Sequence, residues 1–158
     1  MKENPALISA MTASISEVLE TMFFMPLEFS EDAQFEDWWT GTPENVLVTR
    51  LTFNGPFSGT FYFFIPEELG RSLAANFMGE DEDAVKENHV TDTVKEIANM
   101  IVGGTFAKWD AKAVFDLGIP ENTTFGEAEK HHGASENKVF IGITTLDDTL
   151  AAEMIMNS

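Results

Sequence analysis

Val90-Thr91-Asp92-Thr93-Val94-Lys95-Glu96-Ile97-Ala98-Asn99-Met100, followed by Ile101-Val102-Gly103-Gly104, is the stretch on which the reading of the whole chain turns. At about 100° per residue, Val90, Val94, Ile97, Ala98 and Ile101 gather on one side of a helix. Asp92, Glu96, Asn99 and Gly103 gather on the other. Glu96 and Asn99 are three apart, which makes them neighbours on that outer face. Gly103 lies about one turn beyond, leaving room for something large to approach. A neutral carboxamide beside an acid on an exposed helix is a usable chemical pair. Taken alone, such a pair is more often merely solvated.

Outward from this helix the chain alternates between helical and extended patterns. Pro5 suits the first turn of a helix reaching Met22 or Phe23, with Ile8, Met11, Ile15, Val18 and Met22 as its buried stripe. Glu17 and Glu20 point away from that stripe. Met25-Pro26 ends the helix, and Leu27 to Phe29 reads as a short strand. Ser30 to Glu44 is both acidic and aromatic. It reads as a surface loop whose Trp38-Trp39 folds back over the sheet, or else as an aromatic anchor for a partner, because neighbouring residues on a strand cannot both face inward.

Val46 to Asn54 and Gly59 to Ile65 read as strands joined by the turn Gly55-Pro56-Phe57-Ser58. Pro66 opens a short helix to about Met78, with Leu69, Leu73 and Phe77 on one face, and Gly79 closes it. Glu80-Asp81-Glu82-Asp83 is a solvated acidic connector, since the spacing and central glycine of a calcium loop are missing. The central helix is expected from Thr91 or slightly earlier to between Gly103 and Lys112. Its Gly103-Gly104 pair reads either as a stop or as a tolerated thinning. Val114 to Pro120 reads as a strand and Glu121 to Asn137 as a loop. Lys138 to Thr145 and Thr149 to Met156 form a hairpin around Leu146-Asp147-Asp148.

The two halves overlay. Ile15-Ser16-Glu17-Val18-Leu19-Glu20-Thr21-Met22 falls on Val94-Lys95-Glu96-Ile97-Ala98-Asn99-Met100-Ile101, core position on core position. Pro26 and Pro120 mark comparable strand segments. The fold class expected is α+β: a tandem helix-plus-strands repeat with a mostly antiparallel sheet and two long helices packed on one face.

A chain of 158 residues suffices for one domain, taken as 1–158. A hydrophobic content of 44% with 14 Phe is that of a globular protein. A formal charge of −18 argues against nucleic acid and anionic membranes, both of which need a basic face. With no cysteine there is no thiol chemistry, and a reducing cytoplasm fits. No export leader or spanning segment is indicated. Adjacent His131-His132 lacks the i, i+4 spacing of helical metal ligands, and no Walker loop, dinucleotide fingerprint or Gly-x-Ser-x-Gly occurs.

The pattern Asp92-x3-Glu96-x2-Asn99 running into Met100-Ile101-Val102-Gly103 resembles the signature of the CheC/CheX/FliY chemotaxis phosphatases, closest to the CheX branch. The hairpin Phe53-Asn54-Gly55-Pro56-Phe57-Ser58-Gly59-Thr60 and the opening helix Ser16 to Met22 share the resemblance, which covers most of the chain. It implies a CheC-like fold and a phosphatase for the aspartyl phosphate of a CheY-like response regulator. Asn99 would orient the attacking water and Glu96 would pair with a regulator lysine. Asp92 matches the motif but would mainly serve the helix start, and Asp92 and Gly103 would lie in the partner contact. The resemblance also implies a homodimer through sheet edges and no cofactor of the chain's own, the magnesium belonging to the regulator.

In the overlay Glu20 stands where Asn99 does. A carboxylate there would repel a phosphoryl group that a neutral amide would not, so the first helix reads as a disabled copy. Two other readings compete: a non-catalytic adaptor of the same fold that binds a regulator or flagellar switch component, and a scaffold using Trp38-Trp39 as its contact.

Overall fold

The structure is a computed structural model describing residues 4–39 and 45–157. The chain begins with α1 (Pro5–Ser16), where Pro5 occupies the first turn and Asn4 Oδ1 accepts the Leu7 N–H at 3.3 Å. The same rod continues as a π-helical segment, Glu17–Met22. There follow β1 (Glu28–Ser30), α2 (Phe35–Trp38), β2 (Val46–Asn54), β3 (Gly59–Pro66) and α3 (Glu67–Met78). The second half comprises α4 (Glu87–Trp109), β4 (Asp116–Leu117), β5 (Glu121–Thr123), α5 (Phe125–Ala134), β6 (Lys138–Thr144) and β7 (Thr149–Met156).

The described strands form one antiparallel sheet in the order β1-β6-β7-β3-β2-β4, with β5 also pairing β2. The internal duplication is visible in this order. Exchanging β1 with β5, β2 with β6 and β3 with β7 reverses the sheet onto itself, so a pseudo-twofold axis passes between β3 and β7. Pro26 shortly precedes β1 and Pro120 immediately precedes β5, as the overlay requires. Each of these strands leads into a short helix, and the first residues of those helices, Phe35 and Phe125, meet with ring centroids 5.5 Å apart. The fold is thus the α+β tandem repeat expected.

One face of the sheet carries the main core. Leu51, Phe53, Phe61, Phe63, Ile141 and Met154 pack there beneath α1 and α4. The opposite face is also covered. Phe64, Tyr62, Val48 and Ile155 lie under α2 and α5, which explains why β3 is buried along nearly its whole length.

Several expectations are corrected. Met22 is 47% exposed rather than core, because the wider π-helical winding falls behind the 100° phase and turns Phe23 inward in its place. Phe24 then takes a left-handed φ of 56° as the chain reverses. The first strand is Glu28–Ser30, one residue later than Leu27 to Phe29. Phe77 is mostly exposed, its ring lying 6.2 Å from Phe23 at the margin of the core. Of Val114 to Pro120 only Asp116–Leu117 is strand, pairing with β2 and followed by the Gly118 N–H donating to the Thr52 carbonyl at 2.8 Å, and Val114 and Ile119 project into solvent. The expected loop Glu121 to Asn137 contains β5 and α5. Its strand is polar because it lies on an edge, and its helix shows the core only Phe125, Ala128 and His132.

Trp38 and Trp39 fall at the end of a helical turn, not on a strand, so alternation does not separate them. The Trp38 indole N–H donates to the Leu150 carbonyl at 2.7 Å and its ring lies against Gly142. Trp39 packs edge-on to Phe35 and Phe125. Both therefore fold back over the sheet. Of the Ser30 to Glu44 segment, residues 40–44 lie outside the described residues.

Candidate functional site on the outer face of α4

α4 is a 23-residue helix, roughly 34 Å long at about 1.5 Å per residue. Val90, Val94, Ile97, Ala98 and Ile101 are all buried, and burial of each larger side chain contributes about 1.5–3 kcal/mol to holding the helix on the sheet. Against α1 the two backbones come close. The buried Ser14 hydroxyl donates to the Ile101 carbonyl at 2.7 Å, and a Cβ on Gly104 would run into the same hydroxyl. The glycine pair thus divides its work. Gly104 permits helix contact, while a Cβ on Gly103 would meet nothing within 4 Å. The helix continues through both, and neither is a stop.

The outer face carries the pair singled out in the sequence. Glu96 and Asp92 are exposed, Asn99 is half-buried and Gly103 is open. No described residue hydrogen-bonds or ion-pairs with the side chain of Glu96 or of Asn99. Asp92 does not start the helix. α4 begins at Glu87, with the Lys86 N–H donating to His89 Nδ1 at 3.4 Å, so Asp92 lies more than a turn inside, beyond the reach of the helix's positive end. It stands instead one turn before Glu96 on the same face.

The corresponding positions on the first helix are occupied. Glu20 accepts hydrogen bonds from the Ser16 hydroxyl and from the Leu27 N–H, the latter at 3.3 Å, and so braces the chain reversal. Glu17 pairs with Lys108 of α4 at 3.1 Å. Glu96 and Asn99 have no such partner among the described residues, whereas Glu17 and Glu20 hold their own chain together.

The signature hairpin has a role that sequence reasoning missed. Phe57, in its turn, packs edge-on to Phe106, Trp109 and Phe115, and Phe106 and Phe115 stack at 3.8 Å. A Cβ on Gly55 would fall 2.6 Å from the Phe115 ring. The turn therefore buttresses the C-terminal end of α4. Four aromatic residues spread over sixty positions gave no local signal of this.

A second polar cluster lies on the opposite face of the sheet. His132 Nδ1 is 2.6 Å from Glu153 Oε2, which is fully buried, and His132 Nε2 is 3.1 Å from Glu36 Oε2. With a carboxylate on each ring nitrogen, chiefly the hydrogen bond to Glu153, the His132 pKa is raised although burial opposes it. Phe35 stacks on the same imidazole at 4.3 Å. His131 instead meets the Tyr62 hydroxyl at 2.6 Å. The two histidines thus face different partners, and among the described residues no three His, Asp or Glu side chains converge as a metal ion would require.

Solved structures share this architecture throughout. The chain is similar to a CheC-like superfamily protein from Shewanella sp. PV-4, at 21% identity and TM-score 0.74, covering 97% of this chain and 98% of that one. It is similar to chemotaxis protein CheX from Vibrio vulnificus, at 19% identity and TM-score 0.69, with 96% of each chain covered. It is also similar to a chain of the CheX-CheY-BeF3-Mg complex from Borrelia burgdorferi, at 17% identity and TM-score 0.70, covering 96% and 97%. These likenesses define a CheC-like fold. No curated protein matches the sequence. Residues 47–144, from β2 to the end of β6, match the family model for the chemotaxis phosphatase CheX, and the chain belongs to that family of phosphatases. Among the described residues no helix is long and apolar enough to cross a membrane.

Proposed function

We propose that this chain hydrolyses the aspartyl phosphate of a CheY-like response regulator, with Asn99 orienting the attacking water and Glu96 pairing with a regulator lysine. The observation that carries the reading is that Asn99 and Glu96 have no side-chain partner among the described residues and stand on the outer face of a helix anchored along its inner face, with open space over Gly103. A transferring phosphoryl group is already negative, so a water-positioning group beside it works best uncharged. The amide can accept from water and donate to a phosphoryl oxygen. Its contribution is positioning, which suits a site of so few residues. The Borrelia CheX was crystallised with CheY, beryllofluoride and magnesium, which supports the choice of partner. The magnesium in this reading is the regulator's, and the chain brings no cofactor.

Residues 1–158 act as one domain in this account, in the cytoplasm with the regulator, and a homodimer would form through a sheet edge. The two edges available, β1 and the β4–β5 side, are each built from strands of two or three residues.

Asn99→Ala should lower the saturated rate of phosphate loss from the regulator by roughly a hundredfold or more, as removal of one preorganised hydrogen-bonding group does elsewhere. Binding to the beryllofluoride-activated regulator should stay within about threefold, because one amide contributes little to the whole contact. Phosphate loss at the wild-type rate with Asn99→Ala would leave the adaptor reading in its place.

A further inference from the structure

Beyond Asn99 the outer stripe of α4 changes character. Counting three and four along the helix, Glu96, Asn99, Gly103, Ala107 and Asp110 share one face. The first two carry the chemistry, and the next two carry almost no side chain. There the surface drops into a groove of about 230 Å3, walled by Gly103, Phe106, Ala107, Phe115 and Leu117, with Asp110 also in its lining, where its Oδ1 accepts the Lys112 N–H at 3.0 Å. It begins at Gly103 and so adjoins the acid–amide pair, with Ala107 roughly 12 Å along the axis from Asn99 at about 1.5 Å per residue. Its far wall is rigid: Phe115 is stacked on Phe106 and held from beneath by Gly55 and Phe57. Val114 and Ile119, close in the chain to these wall residues, are exposed as well.

We propose that this groove is the second contact for the regulator, and that it takes a large apolar side chain from the receiver domain while Asp110 faces a basic neighbour of that side chain. The inference rests on the catalytic reading for the identity of the partner. An amide and an acid alone cannot hold two proteins in register, since stable recognition needs a buried apolar anchor besides a polar rim. The groove supplies that anchor on the same helix, about 12 Å along the axis from the amide. The small residues between the two are what let the partner's surface lie flat along α4. A second copy of this chain fits less well on this face, because it would cover the stripe that the regulator must reach.

The test uses the full chain with CheY-like receiver proteins of the same cell, activated by beryllofluoride and magnesium. Ala107→Gln adds bulk without charge on an exposed helical position, and Leu117→Ser removes apolar surface from the far wall. Each should raise Kd for the activated receiver about tenfold or more and raise KM in step, leaving kcat at saturation within twofold. Far-UV circular dichroism and Tm identify any variant that has lost its fold. Kd and KM within twofold of wild type in both folded variants would overturn the docking role. So would loss of a wild-type dimer on sedimentation with Kd unchanged, which would make the groove a contact between copies. Asn99→Ala run alongside separates the two claims. If it keeps the wild-type rate while the groove variants lose binding, the catalytic reading falls and the groove stands.

Discussion

Position 99 and its neighbours show how far single residues decide the outcome. Glu96 and Asn99 could be singled out from spacing and chemistry, and both stand on the outer face of α4. What spacing could not tell is that Gly103 and Gly104 do different things. Gly104→Ala should destabilise the chain, because its Cβ meets the Ser14 hydroxyl and disturbs the bond to Ile101, and a fall in Tm checks this. Gly103→Ala should do the reverse, adding up to about 1 kcal/mol of helix stability at an open site. The role given to Asp92 at the helix start failed for a local reason: the cap is Lys86 with His89, a pairing that ordinary capping preferences do not favour.

Among the elements, strongly periodic ones were legible and weakly periodic ones were not. β2, β3, β6 and β7 lie within a residue or so of where alternation puts them, and α3 is found nearly as read. α5 was hidden because Gly126 and Gly133 lower its propensity and because its innermost polar residue, His132, interrupts the apolar pattern. That histidine ties α5 to α2 and β7 through Glu36 and Glu153, and the other oxygen of Glu153 has no partner among the described residues. The stability it contributes has a definite sign in pH. The His132 pKa is raised on folding, so the contribution is fully present below the unfolded value of about 6.5 and is lost as pH climbs through the folded value. Tm of the wild type should therefore decline from pH 6 toward pH 9 more steeply than that of His132→Asn, which lacks the titrating group. Parallel curves would show that the clamp carries no charge.

At the scale of the whole molecule, the duplication explains the order of the sheet and lets the two long helices differ in what their outer faces carry. Two helix-plus-strand repeats share a central β3–β7 pair, and each covers the other's outer strand. The repeat was legible from the helix overlay and the two prolines. The covering of the second sheet face was not, since α2 is a single turn and its aromatic residues resembled a surface loop. Having two helices allows one to be given to structure: Glu17 and Glu20 brace the first, and the second is left free to present Glu96 and Asn99. The hairpin turn beneath Phe115 then stiffens the end of α4 from which a partner would be gripped.

The proposed catalysis depends on the group at 99 being uncharged. Asn99→Asp keeps the size and shape of the side chain and changes only its charge and donor capacity. Measured as the first-order rate of phosphate loss from a phosphorylated CheY-like receiver held at saturating concentrations of the chain, Asn99→Asp should be slowed by roughly a hundredfold or more, to near the receiver's own rate. A rate within a few-fold of wild type would contradict the claim that a neutral amide positions the water.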